Sequence, residues 1–219
     1  MENAERARER EGTTHSQSVN VNEIEFRRTP DDAQSTIPLA RLALLALAFA
    51  GLQEQEMVEV VLDIAGIGPV PMVLHARFAA SKRILELARG GGKGHVHRAE
   101  PQPPNGSNGP PYALVQFSLE SDAGLNTLPH EGDEKIARGA VCLIGGANDL
   151  FISLARGAEH AGWEASMTVL GHVPQPALDE LIEGAILAKP KHTFTHPQYG
   201  TVMSMLDTKL PLTLRATAP

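Results

Sequence analysis

The stretch 140-AVCLIGGANDLFISLARGAEHAGWEASMTVL-170 decides how the chain is read. Residues 140–145 are apolar and short, and they predict a buried strand. Gly145 and Gly146 then turn the chain. From 147 to 161, Leu150, Phe151, Leu154 and Ala158 recur at a helical spacing, and Gly162 stops the pattern. Residues 164–170 predict the next strand. Strand, turn, helix and strand in that order predict two parallel strands joined by a right-handed crossover. The fold class that follows is α/β: a mixed sheet with flanking helices.

Working outward from that unit, 57–65 (MVEVVLDIA) and 70–75 (VPMVLH) predict a pair of strands around the turn at 66–69. An amphipathic helix is expected over 76–89, stopped by Gly90, Gly91 and Gly92. Residues 100–111 (EPQPPNGSNGPP) form a Pro/Gly-rich loop. Residues 112–119 alternate as a strand does. Pro174 and Pro176 open a further helix over about 176–188. After Pro190 the chain reads as short extended segments.

The N-terminal side differs. Residues 1–36 are polar with mixed charge and read as a disordered or loosely structured tail. Ser35, Thr36 and Pro38 announce a helix over 37–52. That helix is the most hydrophobic stretch of the chain, but Pro38 and Arg41 interrupt it, and it falls short of the ~20 apolar residues of a membrane span. No transmembrane segment is therefore expected. The opening MENAERARERE has no apolar core of a secretory signal. The expected organisation is a tail, 1–36, and a single α/β domain, 37–219.

Composition narrows the function classes. The chain has 219 residues, with Lys+Arg 19 against Asp+Glu 26 and a net charge of −7. That balance disfavours a general nucleic-acid binder, which needs a basic face. Aromatic residues make up 4%, which also argues against stacking on single-stranded bases. One cysteine, Cys142, excludes an internal disulfide and points to a reducing, cytoplasmic compartment. Lys82, Arg83, Arg89, Lys93 and Arg98 form a locally basic stretch within the acidic chain.

Three groups of residues are candidates for chemistry. The first is the strand–turn–helix at 143–150. Gly145, Gly146, Asn148 and Asp149 would present backbone N–H groups at a helix N-terminus, a geometry that holds a small anionic or phosphorylated ligand. No complete phosphate-loop, dinucleotide or hydrolase-elbow motif accompanies it. The second pairs the strand-end carboxylates Asp63 and Asp149, which would hold a divalent metal for phosphoester cleavage. The run 141–170 bears a loose resemblance to the strand–Asp–helix–strand segment of NYN/PIN-like ribonucleases. Ala147 or Gly146 stands where those enzymes have their first Asp. The third group is His95, His97 and Glu100 with His192 and His196, candidate ligands for a transition metal. A non-catalytic assembly or regulatory role, with the apolar 37–52 helix packing on a protein partner, is the remaining reading.

Overall fold

The computed structural model describes residues 56–104, 110–157, 159–198 and 200–217. The tail over 1–36, the helix expected over 37–52 and part of the Pro/Gly-rich loop lie outside them. The described residues belong to one compact unit, Gln53–Pro219.

Among the described residues nine strands form one antiparallel sheet: β1 (Met57–Ile64), β2 (Gly68–His75), β3 (Lys93–Glu100), β4 (Leu114–Leu119), β5 (Ala140–Ile144), β6 (Asp149–Ser153), β7 (Met167–His172), β8 (Lys191–Thr195) and β9 (Val202–Ala216). Their order is β1-β2-β7-β5-β6-β4-β3-β9-β8, and β9 also pairs with β1. That last pairing closes eight strands into a barrel and leaves β8 as a flap beside β9. Helix α1 (Ala79–Arg89) follows β2. A helical turn, α2 (Gln175–Ala177), follows β7 and runs directly into a π-helix, Leu178–Ile186.

The expected mixed α/β sheet with flanking helices is therefore wrong. The helix expected over 147–161 is where the reading failed. Gly145 and Gly146 do turn the chain, with Gly146 at φ 74°, but they turn it back on itself. Leu143 pairs with Leu150 and Cys142 with Phe151, so β5 and β6 form an antiparallel hairpin. The misreading has a physical cause. Leu150, Phe151, Ile152 and Ser153 are all buried, because β6 is covered on both faces. A strand buried on both faces has no period-2 pattern to show. β7 then pairs antiparallel with the other edge of β5, so there is no parallel crossover. The likeness to the ribonuclease segment fails with it.

β1, β2 and β4 announce themselves by alternation in the sequence. Val60, Leu62 and Ile64 on β1, Val70, Met72 and Leu74 on β2, and Val115, Phe117 and Leu119 on β4 are buried in one core. Ile84 and Ala88 of α1 and Leu178, Ile182 and Ile186 of the π-helix join the same core. An eight-stranded barrel is just wide enough for side chains to fill, and this one is filled by Leu, Val, Ile and Phe. Two glycines allow the strands to close. A Cβ on Gly171 would lie 2.0 Å from the Val73 carbonyl oxygen across the β2–β7 seam, and one on Gly94 would lie 2.2 Å from that of Ser118 across β3–β4. No helix among the described residues is long and apolar enough to cross a membrane.

Candidate functional site

The barrel interior is filled by the apolar core, and the candidates His95 and Asp149 lie in register on the outer face. The part over β5 and β6 is already occupied. Cys142, Phe151, Leu114 and Val169 form a second apolar cluster there, with Tyr112 and Trp163 packed on it. His160 stacks on Trp163 at 4.7 Å between ring centroids. Its Nε2–H donates to the Tyr112 carbonyl at 2.6 Å, and its Nδ1 accepts from Ser153 Oγ at 3.1 Å. Burial, opposed by the Tyr112 carbonyl, holds its pKa below the usual histidine range. Both ring nitrogens are engaged in holding the cover, so His160 is structural.

Further round, over β4, β3, β9 and β8, the outer face is polar and partly open. Strand register sets its rows. Phe151 pairs with Gln116, Gln116 with Arg98, Arg98 with Met205, and Met205 with His192. A second row runs from Asp149 through Ser118 and His95 to Pro211. Between these rows β3 carries an irregularity: the register shifts between Val96 and Arg98 on both edges. Against β4 the extra residue is His97; against β9 the surplus is on β9, whose residues 206–209 stand opposite it. Such a bulge re-aims a side chain.

One hydrogen-bond network joins these rows. Arg98 Nε donates to Glu100 Oε1 at 2.7 Å and Arg98 Nη1 to Gln116 Oε1 at 3.0 Å. Gln116 Nε2 donates to Asp149 Oδ2 at 3.2 Å. Ser118 Oγ donates to Asp149 Oδ1 and lies 3.3 Å from His97 Nδ1. The serine has one hydroxyl hydrogen, and the carboxylate takes it. Ser118 Oγ is left to accept from His97, so Nδ1 carries the imidazole proton and Nε2 carries the lone pair. Burial lowers the His97 pKa and Asp149 opposes the shift. Burial and Lys209 lower that of His95, whose ring centroid lies 5.6 Å from that of His97.

His97 lines a cavity of about 310 Å³ with His192, Phe194, Met205, Leu206, Asp207 and Lys209. His192 is oriented in a similar way. Its Nδ1 lies 2.8 Å from Asp207 Oδ1, an acceptor that fixes the proton on Nδ1 and the lone pair on Nε2. Two imidazoles on strands flanking β9 thus line one pocket, each with its Nδ1 turned to an oxygen acceptor.

The remaining sequence candidates fall elsewhere. Asp63 is on β1, paired with Arg215 at 3.2 Å. Its strand is four places from β6 around the ring of eight, so it faces away from Asp149. Glu100 is fully buried against Arg98 and belongs to the scaffold. His196 lies in the β8–β9 turn, where Nδ1 accepts from the Gln198 N–H. The turn at 143–150 lacks the helix N-terminus on which anion binding was expected. Gly145 N–H donates to the Ser166 carbonyl, and Asn148 Oδ1 accepts from the N–H groups of Leu125 and Asn126. The basic stretch at 82–98 does not form one patch. Arg98 is buried, and Arg83 donates to the Ala123 and Asp122 carbonyls. Among the described residues no three His, Cys, Asp or Glu side chains are grouped to hold a metal ion.

Sequence reasoning missed Ser118, Gln116, Met205 and Asp207. For the first two a signal existed. In 112–119 the apolar face is Ala113, Val115, Phe117 and Leu119, and Gln116 and Ser118 share the other. Met205 and Asp207 depend on strand pairing and had none. No known protein family matches the chain, and no curated protein matches it.

Proposed function

We propose that this protein binds a ligand on the outer face of its barrel, in the pocket beside the β3 bulge, through the Nε2 lone pairs of His97 and His192. The observation that carries the reading is the relay Asp149–Ser118–His97. A carboxylate on the surface has no need of a serine and a histidine behind it, yet here the three set the tautomer of a ring that faces a cavity. The imidazole is oriented before any ligand arrives, which reduces the ordering cost of binding. Phe194, Met205 and Leu206 supply an apolar wall, and Lys209 and Asp207 supply polar points at the rim. Pockets of this size with a few placed polar groups suit small ligands.

Nitrogen-15 spectra of the full chain test this reading directly, because protonated and lone-pair ring nitrogens resonate far apart. At neutral pH His97 is expected to show a proton on Nδ1 and a lone pair on Nε2. Ser118→Ala removes the relay and is expected to mix the two tautomers. A wild-type His97 with its proton on Nε2 overturns the proposal.

A further inference from the structure

We infer that the outer edge of β8 takes an extended, acidic peptide segment of a partner protein, which adds to the sheet as one more strand. The inference stands apart from the pocket reading, because it uses the backbone edge of β8 and not the imidazole lone pairs.

The barrel closes without β8, so β8 keeps an edge. It pairs with β9 on one side, and no strand among the described residues pairs with the other. The phase of its hydrogen bonds follows from its two ends. Asp207 N–H donates to the Pro190 carbonyl at 3.1 Å, and His196 N–H donates to the Thr201 carbonyl at 2.8 Å. In an antiparallel pair such bonded positions recur at every second residue. His192 and Phe194 are therefore turned to β9, whereas Lys191, Thr193 and Thr195 direct their N–H and C=O groups away from it. Such a row of donors and acceptors is the template for strand addition. Pro190 and Pro197 bound the row, so it accepts a short segment and does not extend.

Charge selects the occupant. The chain carries a net −7, yet no Asp or Glu lies between Glu183 and Asp207. That stretch contains all of β8, with Lys189 and Lys191. Lys191 Nζ donates to the Leu187 and Lys189 carbonyls, and neither lysine makes an ion pair among the described residues. An acidic strand beside β8 supplies the missing counter-charge, since opposite charges at facing strand positions attract. A second copy of β8 would bring like charge instead.

The side chains set the pattern of the segment. Alternation divides β8 into two faces. Lys191, Thr193 and Thr195 share one. His192 and Phe194 share the other, and Phe194 is 40% exposed. The segment that fits alternates acidic side chains, on the face of Lys191, with apolar ones on the face of Phe194.

The test is titration of the full chain with a fluorescent peptide of alternating Glu and Val, read by anisotropy and by amide hydrogen exchange. The peptide is expected to bind, and to bind more weakly as salt rises. Exchange is expected to slow at Lys191, Thr193 and Thr195, and to stay as it was at His192 and Phe194, which are already bonded to β9. Thr193→Pro removes an outward N–H and keeps the β9 ladder, so it is expected to weaken binding roughly tenfold or more. Lys191→Gln keeps a donor for the two carbonyls and removes the charge; it is expected to weaken binding roughly threefold or more. A peptide of alternating Lys and Val is expected not to bind. Failure of the Glu peptide to bind, equal affinity in the wild type and Lys191→Gln, or equal binding of the Lys peptide overturns the inference. So does slowed exchange at the same three amides in a chain that dimerises without peptide, which would make a second copy the occupant.

Discussion

Replacing Glu100 by alanine tests how the outer-face scaffold is held. Glu100 is 0% exposed and accepts three hydrogen bonds: from Arg98 Nε at 2.7 Å, from the Tyr112 N–H at 2.5 Å and from the Ser204 N–H at 3.1 Å. Alanine leaves the buried Arg98 guanidinium without its counter-ion, with Gln116 Oε1 as its remaining acceptor, and leaves the Tyr112 and Ser204 N–H groups without the carboxylate. Breaking a buried ion pair by removing one partner costs roughly 3–5 kcal/mol, because the other charge remains desolvated. Each orphaned backbone N–H adds part of a further ~1–3 kcal/mol, and the contributions overlap. A loss of about 5 kcal/mol is expected, a large fraction of the ~5–15 kcal/mol that holds a domain together. For a domain of this size that lowers the melting temperature by roughly 10–20 °C. Urea unfolding followed by the fluorescence of Trp163, the single tryptophan, measures it. The double variant Arg98→Met with Glu100→Ala removes the stranded charge and is expected to recover at least ~2 kcal/mol over Glu100→Ala alone. A Glu100→Ala loss under ~1 kcal/mol, or a double variant less stable than the single, refutes the account of Glu100 as the acceptor on which this region depends.

Three further outcomes follow from the geometry. His160 is buried with its pKa held below the ordinary 6.5. The unfolded chain therefore binds more protons as pH falls below 6.5, and stability drops in that direction; melting scans from pH 7.5 to 5.5 should show the decline, and His160→Gln should reduce its slope. Gly171→Ala forces a Cβ to within 2.0 Å of the Val73 carbonyl and is expected to prevent barrel closure, whereas Gly162→Ala, with open space around it, should fold with a loss of only about 1 kcal/mol from its positive φ; native-like circular dichroism in Gly171→Ala would contradict the close approach. Burial, aided by Glu164, raises the Cys142 pKa, so its thiol should ignore alkylating reagents at pH 8 in the folded protein and react on unfolding in urea.

Much of the local structure is legible in the chain. β1, β2 and β4 carry apolar residues at alternate positions, and α1 carries Ile84 and Ala88 on one face before a glycine stop. The hairpin β5–β6 was not legible in that way, since Phe151 is covered by Trp163 and His160 from loops that follow it. A helix and a doubly buried strand look alike when nothing marks which face is wet. The site is legible only in fragments: His97 and His192 share one candidate group in the sequence and line one pocket in the structure, whereas Asp149, expected beside Asp63, meets Ser118 instead.

The amino-acid order alone determined where β1, β2, β4 and the glycine turns lie, because alternation and glycine are local properties of the backbone. It determined also that the chain is acidic and poor in aromatic groups. The tertiary structure decided the closure of the barrel, through β1 pairing with β9, strands separated by most of the domain. It decided as well that His97 meets Ser118 and Asp149, and that Met205 stands between two histidines. Those neighbours are set by strand register and by one bulge at Val96–Arg98, and a one-residue shift in pairing would turn each of these side chains to the opposite face.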